Sequence, residues 1–98
     1  MKIAVSYEDG NIFQHFGHSK NFKIYEVEDS NIVDTKIIET EGSGHSALAS
    51  MLDDLSVDAL ICGGIGNGAM DALLQIGIEV CSGVSGNADE VVAEYLNG

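Results

Sequence analysis

Apolar residues come in short runs early in the chain and at helical spacing later, and that switch sets the element order. Ile3-Ala4-Val5, within residues 2–7, is a run of the kind that forms a buried strand. Glu8-Asp9-Gly10-Asn11 breaks it with turn residues. Residues 12–21 show neither strand nor helix periodicity and read as a loop holding two of the three histidines. Residues 22–28, Phe-Lys-Ile-Tyr-Glu-Val-Glu, are rich in aromatic and β-branched types and predict a second strand. Asp29-Ser30-Asn31 is a tight turn, and residues 32–40 return as a third strand to make a hairpin.

The period changes after Glu41-Gly42-Ser43-Gly44. Leu48, Met51, Leu52 and Leu55 then fall at helix spacing, with His45 at the helix start read as solvated or capping. A short apolar run, Ala59-Leu60-Ile61, gives a fourth strand ending near Cys62. The glycine loop 63–68 leads into a helix with Ala69, Leu73 and Ile76 on one face, terminated in left-handed geometry at Gly77. Ile78-Glu79-Val80-Cys81 is a fifth strand. After a small-residue loop, Asn87 reads as the cap of a last helix, with Glu90 three residues on and Ala88, Val91, Val92, Tyr95 and Leu96 on one stripe.

A hairpin followed by two right-handed crossovers predicts an α/β fold, with a five-stranded mixed sheet in which only the second strand runs antiparallel, covered by three helices. The 98 residues make one domain's worth of chain, so a single domain over 1–98 is expected. No apolar run approaches the ~18 residues of a bilayer span. The chain starts straight into a strand without a secretory leader, which predicts a soluble, cytoplasmic protein.

Charge removes whole function classes. Four Lys and no Arg stand against 16 Asp plus Glu, for a net charge of −12. Phosphate backbones and anionic membranes are bound through Lys and Arg, so neither nucleic acid nor membrane is an expected partner. The 2 cysteines read as free thiols rather than a disulfide framework.

This topology brings the loops after the first, third, fourth and fifth strands to one edge of the sheet. His15, His18, His45, Cys62 and Cys81 all fall on it. Open α/β sheets bind ligands there, outside the carboxyl ends of their strands. His15-Phe16-Gly17-His18 is an H-x2-H pair, and imidazole with thiolate suits zinc or an iron-sulfur species. The alternative is a pair of surface histidines, and two cysteines acting as small buried hydrophobes. Gly63-Gly64-Ile65-Gly66-Asn67-Gly68 precedes a helix and offers backbone N–H groups to an anion without any cation. Tight helix-strand packing is the other use of those glycines. The loop is a poor dinucleotide fingerprint, because it follows the fourth strand rather than the first. No G-x-S-x-G elbow and no H-E-x-x-H is present, so the chain is not expected to be an enzyme.

His15-Phe16-Gly17, Phe22-x-Ile24-Tyr25-Glu26-Val27, Gly63-Gly64-Ile65-Gly66-x-Gly68-Ala69, Gly77-Ile78-x-Val80 and Tyr95-Leu96-x-Gly98 together resemble the dinitrogenase iron-molybdenum cofactor biosynthesis family, in order along the chain. The resemblance implies a ribonuclease H-like fold with strand order 3-2-1-4-5. It also implies a non-catalytic carrier of an iron-molybdenum cofactor or iron-sulfur cluster precursor, working with a metallocluster donor or acceptor protein as a monomer or weak dimer. His15 matches the histidine of the family's H-F-G motif and residues 63–68 match its glycine element. Many relatives carry Arg where this chain has His18, and the family does not require Cys62 or Cys81. A small anion- or nucleotide-binding regulatory module using the loop 63–68 is the competing expectation.

Overall fold

The computed structural model describes residues 1–40 and 45–97; the expected loop at 41–44 and the His45 side chain lie outside the described residues. The run at Ile3, Ala4 and Val5 becomes the centre of β1 (Lys2–Glu8), buried from both faces. A strand covered on both sides needs no polar alternation, which is why these residues read as continuous. On one flank β1 pairs antiparallel with β3 (Asn21–Glu28), and β3 pairs antiparallel with β4 (Asn31–Glu39). On the other flank β5 (Ala59–Ile61) and then β6 (Glu79–Cys81) are added in parallel. The five long strands therefore stand in the order β4-β3-β1-β5-β6, which is the order implied by the resemblance.

The sheet has a sixth strand that the sequence reading treated as loop. β2 (Asn11–Ile12) pairs antiparallel with the end of β1, so β3 is not alone in its direction. Its cause is local. Asp9 and Gly10 have φ of 48° and 87°, the two left-handed positions of a turn that closes a two-residue hairpin. The same geometry at Asp29 and Ser30, φ 51° and 64°, closes the expected β3–β4 hairpin.

Helices cover both faces. α1 (His45–Asp54) and α2 (Asn67–Gln75) bury Leu48, Leu52 and Leu73 against Ala4, Phe22, Ile24 and Leu60. α3 (Ala88–Asn97) buries Ala88 and Val92 against Ile3, Val5, Tyr25 and Ile61 on the opposite side. The Asn87 side chain caps α3, its Oδ1 accepting from the Glu90 amide at 3.0 Å. α2 ends with Gly77 at φ 86°, where the Gly77 and Ile78 amides donate to Leu74 and Leu73 carbonyls. This terminator turns the chain before Ile76 can join the core face. Ile76 is 41% exposed, against the helix-face reading, and Ile78 takes its place in the core. No helix among the described residues is long and apolar enough to cross a membrane.

Candidate functional site

The carboxyl edge of the sheet is assembled main chain to main chain. After β2, Phe13 donates its amide to Ser6 O and the Ser6 hydroxyl donates to Phe13 O, both at 2.8 Å. His15 and Gly64 then form an isolated parallel bridge, with Gly64 N donating to Gln14 O at 2.7 Å and Phe16 N to Gly64 O at 2.9 Å. The loop after β6 joins them: Gly83 N donates to Gly63 O, Val84 N to Cys62 O and Ile12 N to Gly86 O. Three loops thus form one rim.

The loop expected to be irregular is structured. Phe16–His18 is a turn of 3-10 helix, closed by His18 N to His15 O at 2.9 Å and Ser19 N to Phe16 O at 3.1 Å. Phe16 is buried and stacks at a tilt on Phe22 with ring centroids 5.8 Å apart. That anchor leaves His15 and His18 exposed on either side of it. The two imidazoles line different hollows. His15 borders a cleft of about 280 Å³ with Glu8, Asp9, Asn11, Ile12, Phe13 and Gln14. His18 borders one of about 200 Å³ with Tyr7, Glu8, Phe13, Lys20 and Asn21. The Phe13 ring stands edge-on to His15 at 6.1 Å and borders both clefts.

The glycine loop divides by role. A Cβ at Gly63 would lie 2.7 Å from Gln14 backbone, and one at Gly64 would lie 2.9 Å from the Gln14 carbonyl oxygen. These two glycines allow the close approach of the loops, and their N–H groups donate to Phe13 O and Gln14 O. They are not free donors. Gly66 and Gly68 face open space, and Ile65 and Asn67 lie beside them with Asn67 exposed. The first intrahelical bond of α2 runs from Met70 N to Gly66 O, so the Asn67 and Gly68 N–H groups precede it. The N–H groups that precede the first helical bond therefore lie in the second half of residues 63–68.

The sheet's own alternation sets the two cysteines on opposite faces. Cys62 is fully buried in the α1–α2 core, where burial, then the neighbouring Cys81, pushes its thiol up to about 11. It stays protonated at neutral pH, which disfavours it as a metal ligand. Cys81 is half-buried against the α3 side, and both thiols are free. Among the described residues no three His, Cys, Asp or Glu side chains converge to hold a metal ion. Sequence reasoning missed Gln14. Its backbone carries Gly64, and its Nε2 donates to Ile12 O and Val84 O at 3.1 Å each. Its place beside the H-F-G motif was the available signal.

The family described as dinitrogenase iron-molybdenum cofactor matches residues 1–98. The chain belongs to this family. An uncharacterized protein of Methanocaldococcus jannaschii is 32% identical over 104 residues, spanning 100% of this chain and 87% of the relative. The crystal structure of a protein designated PH0822 is 27% identical, with a TM-score of 0.95 over 100% of this chain and 90% of that one. The apo form of the orange protein from Desulfovibrio gigas is 25% identical with a TM-score of 0.85, covering 99% of this chain and 88% of that one. In this member of the dinitrogenase iron-molybdenum cofactor family, the H-F-G histidine and the glycine element are the two strands of a single bridge.

Proposed function

We propose that the protein is a non-catalytic carrier that receives a preassembled iron-molybdenum cofactor or iron-sulfur precursor at this rim and passes it to a partner protein, inside the cytoplasm as one domain. The observation that carries the reading is the His15–Gly64 bridge, which sets an exposed imidazole beside the glycine loop whose residues 66–68 are exposed. Neutral imidazole coordinates iron at neutral pH, its unperturbed pKa being about 6.5. The N–H groups at the start of α2 suit cluster sulfides or an anionic organic ligand on the same cargo. A cluster built on four protein thiolates does not fit, because the chain has 2 cysteines and Cys62 is buried and protonated. Cargo arriving with its own sulfides does fit, since it asks for one or two protein ligands.

Membership of the dinitrogenase iron-molybdenum cofactor family and the likeness to a protein solved as an apo form support a binding role. Anaerobic reconstitution with iron and sulfide, or with isolated cofactor, tests it. Wild-type protein should retain iron and visible absorption after desalting, and His15→Ala should lose most of both with unchanged circular dichroism. Full retention in His15→Ala would remove the imidazole from the site. A wild-type chain that takes up inorganic phosphate but no cluster would favour the anion-binding alternative on residues 63–68.

A further inference from the structure

β4 is the outer strand of the sheet and runs for nine residues, Asn31–Glu39. Among the described residues no helix covers residues 31–37, and each of them is exposed, including Ile32 at 38% and Val33 and Ile37 at 55% each. An uncovered edge of this length presents unpaired peptide groups that template another strand. Its sequence says which strand. Val33-Asp34-Thr35-Lys36-Ile37 has apolar β-branched residues at its ends, opposite charges inside them and Thr35 at the centre. Around Thr35 the segment is self-complementary in antiparallel register.

We infer that β4 pairs edge to edge with β4 of a second copy of this chain, about a two-fold axis through Thr35. That axis sets Val33 against Ile37, Asp34 against Lys36 and Thr35 against Thr35, each contact occurring in both senses as an isologous interface requires. Side chains directly opposite in an antiparallel pair share a face, so the two Asp34–Lys36 pairs lie on one side of the joined sheet and the Thr35 pair on the other. Other registers are worse. Moving the axis by one residue sets Asp34 or Lys36 against its own copy, and a chain with net charge −12 has little else to attract itself. Asp34 and Lys36 make no ion pair among the described residues, so each is available to a partner. The regular part of the seam is Asp34 to Lys36, and its Val33 ends fall in the β4 bulge. Glu26 faces Asp34 and Val27 faces Ile32, leaving Val33 as the extra residue, so regular pairing stops there. So short a seam buries little area, and the dimer is accordingly weak and concentration-dependent.

Sedimentation equilibrium from micromolar to millimolar chain should show a shift from the 10.3 kDa monomer toward twice that mass. Lys36→Asp sets carboxylates against each other at both pairs and should weaken association about tenfold or more. Asp34→Lys combined with Lys36→Asp restores opposite charges in the same register and should recover it. Thr35→Cys should crosslink to a covalent dimer under mild oxidation, whereas Glu28→Cys, at the start of the hairpin, should not. Circular dichroism confirms that each variant is folded. A monomer at every concentration overturns the inference, as does a dimer indifferent to Lys36→Asp or a folded double variant that fails to recover.

Discussion

The Cys62 amide donates to the Cys81 carbonyl at 2.9 Å, yet the two thiols belong to opposite faces of the sheet. Parallel neighbours in register at Ile61 and Cys81 put residue 62 one step further along, and one step reverses the side-chain direction. Adjacency in the ladder therefore does not make these cysteines a chelating pair.

This separation predicts unequal thiol chemistry. A maleimide at neutral pH should label Cys81 and spare Cys62 in the native protein, with both labelled in denaturant, as read by mass spectrometry. Cys62→Ser places a hydroxyl in an apolar pocket and should cost about 1–3 kcal/mol in thermal unfolding, without reducing iron retention by the folded fraction.

The glycines should separate in the same way. Gly63→Ala forces a Cβ onto Gln14 backbone and should destabilise by about 1–3 kcal/mol, the usual range for overpacking. Gly68→Ala meets nothing within 4 Å and lies inside α2, where it should stabilise by up to about 1 kcal/mol. Denaturant midpoints of the two variants moving in the same direction would contradict this division.

α1 closes on Ser56 at φ 59°, with the Ser56 and Val57 amides donating to Asp53 and Leu52 carbonyls. A side chain in left-handed geometry is strained where glycine is not. Ser56→Gly should raise stability by about 0.5–1 kcal/mol, a rise of several degrees in Tm for a chain of this size.

Asp89 gives stability one dependence on pH. Lys23 donates to its Oδ1 at 2.8 Å and the Tyr25 hydroxyl at 2.6 Å, holding the carboxyl below the usual carboxylate range, the lysine first in effect. A lowered carboxylate contributes stability above its unfolded pKa of about 3.9, and that contribution is lost as pH falls through the folded value. Tyr25 is raised, by burial first and then by Asp89, so its contribution is complete below about 10 and is lost as pH rises through the folded value. Melting temperature should therefore fall on both the acid and the alkaline side, and Asp89→Asn should flatten the acid limb. An unchanged acid limb in Asp89→Asn would assign that loss to other carboxylates.

Punctuation in the sequence carried much of the fold. Asn87 caps α3, Gly77 ends α2 and Asp29-Ser30 turns the β3–β4 hairpin, each a local effect with a local signature. β2 escaped because two residues show no periodicity, although Asp9-Gly10 is a hairpin turn in its own right. The site was legible as a set of loops on one edge. Which glycines are consumed by Gln14 depends on contacts between segments some fifty residues apart in the chain. No spacing rule reaches that far.

The rim that holds His15 is fastened by peptide groups, and every residue except proline brings the same donor and acceptor to that task. Holding the loops together thus makes few demands on side-chain identity beyond Gly63, Gly64, Ser6, Gln14 and the Phe16 anchor. The exposed positions 15, 18 and 67 can be recoloured with other ligand chemistries while the frame keeps its shape, which makes this edge a mount on which different cargoes are specified by exchange of a handful of side chains.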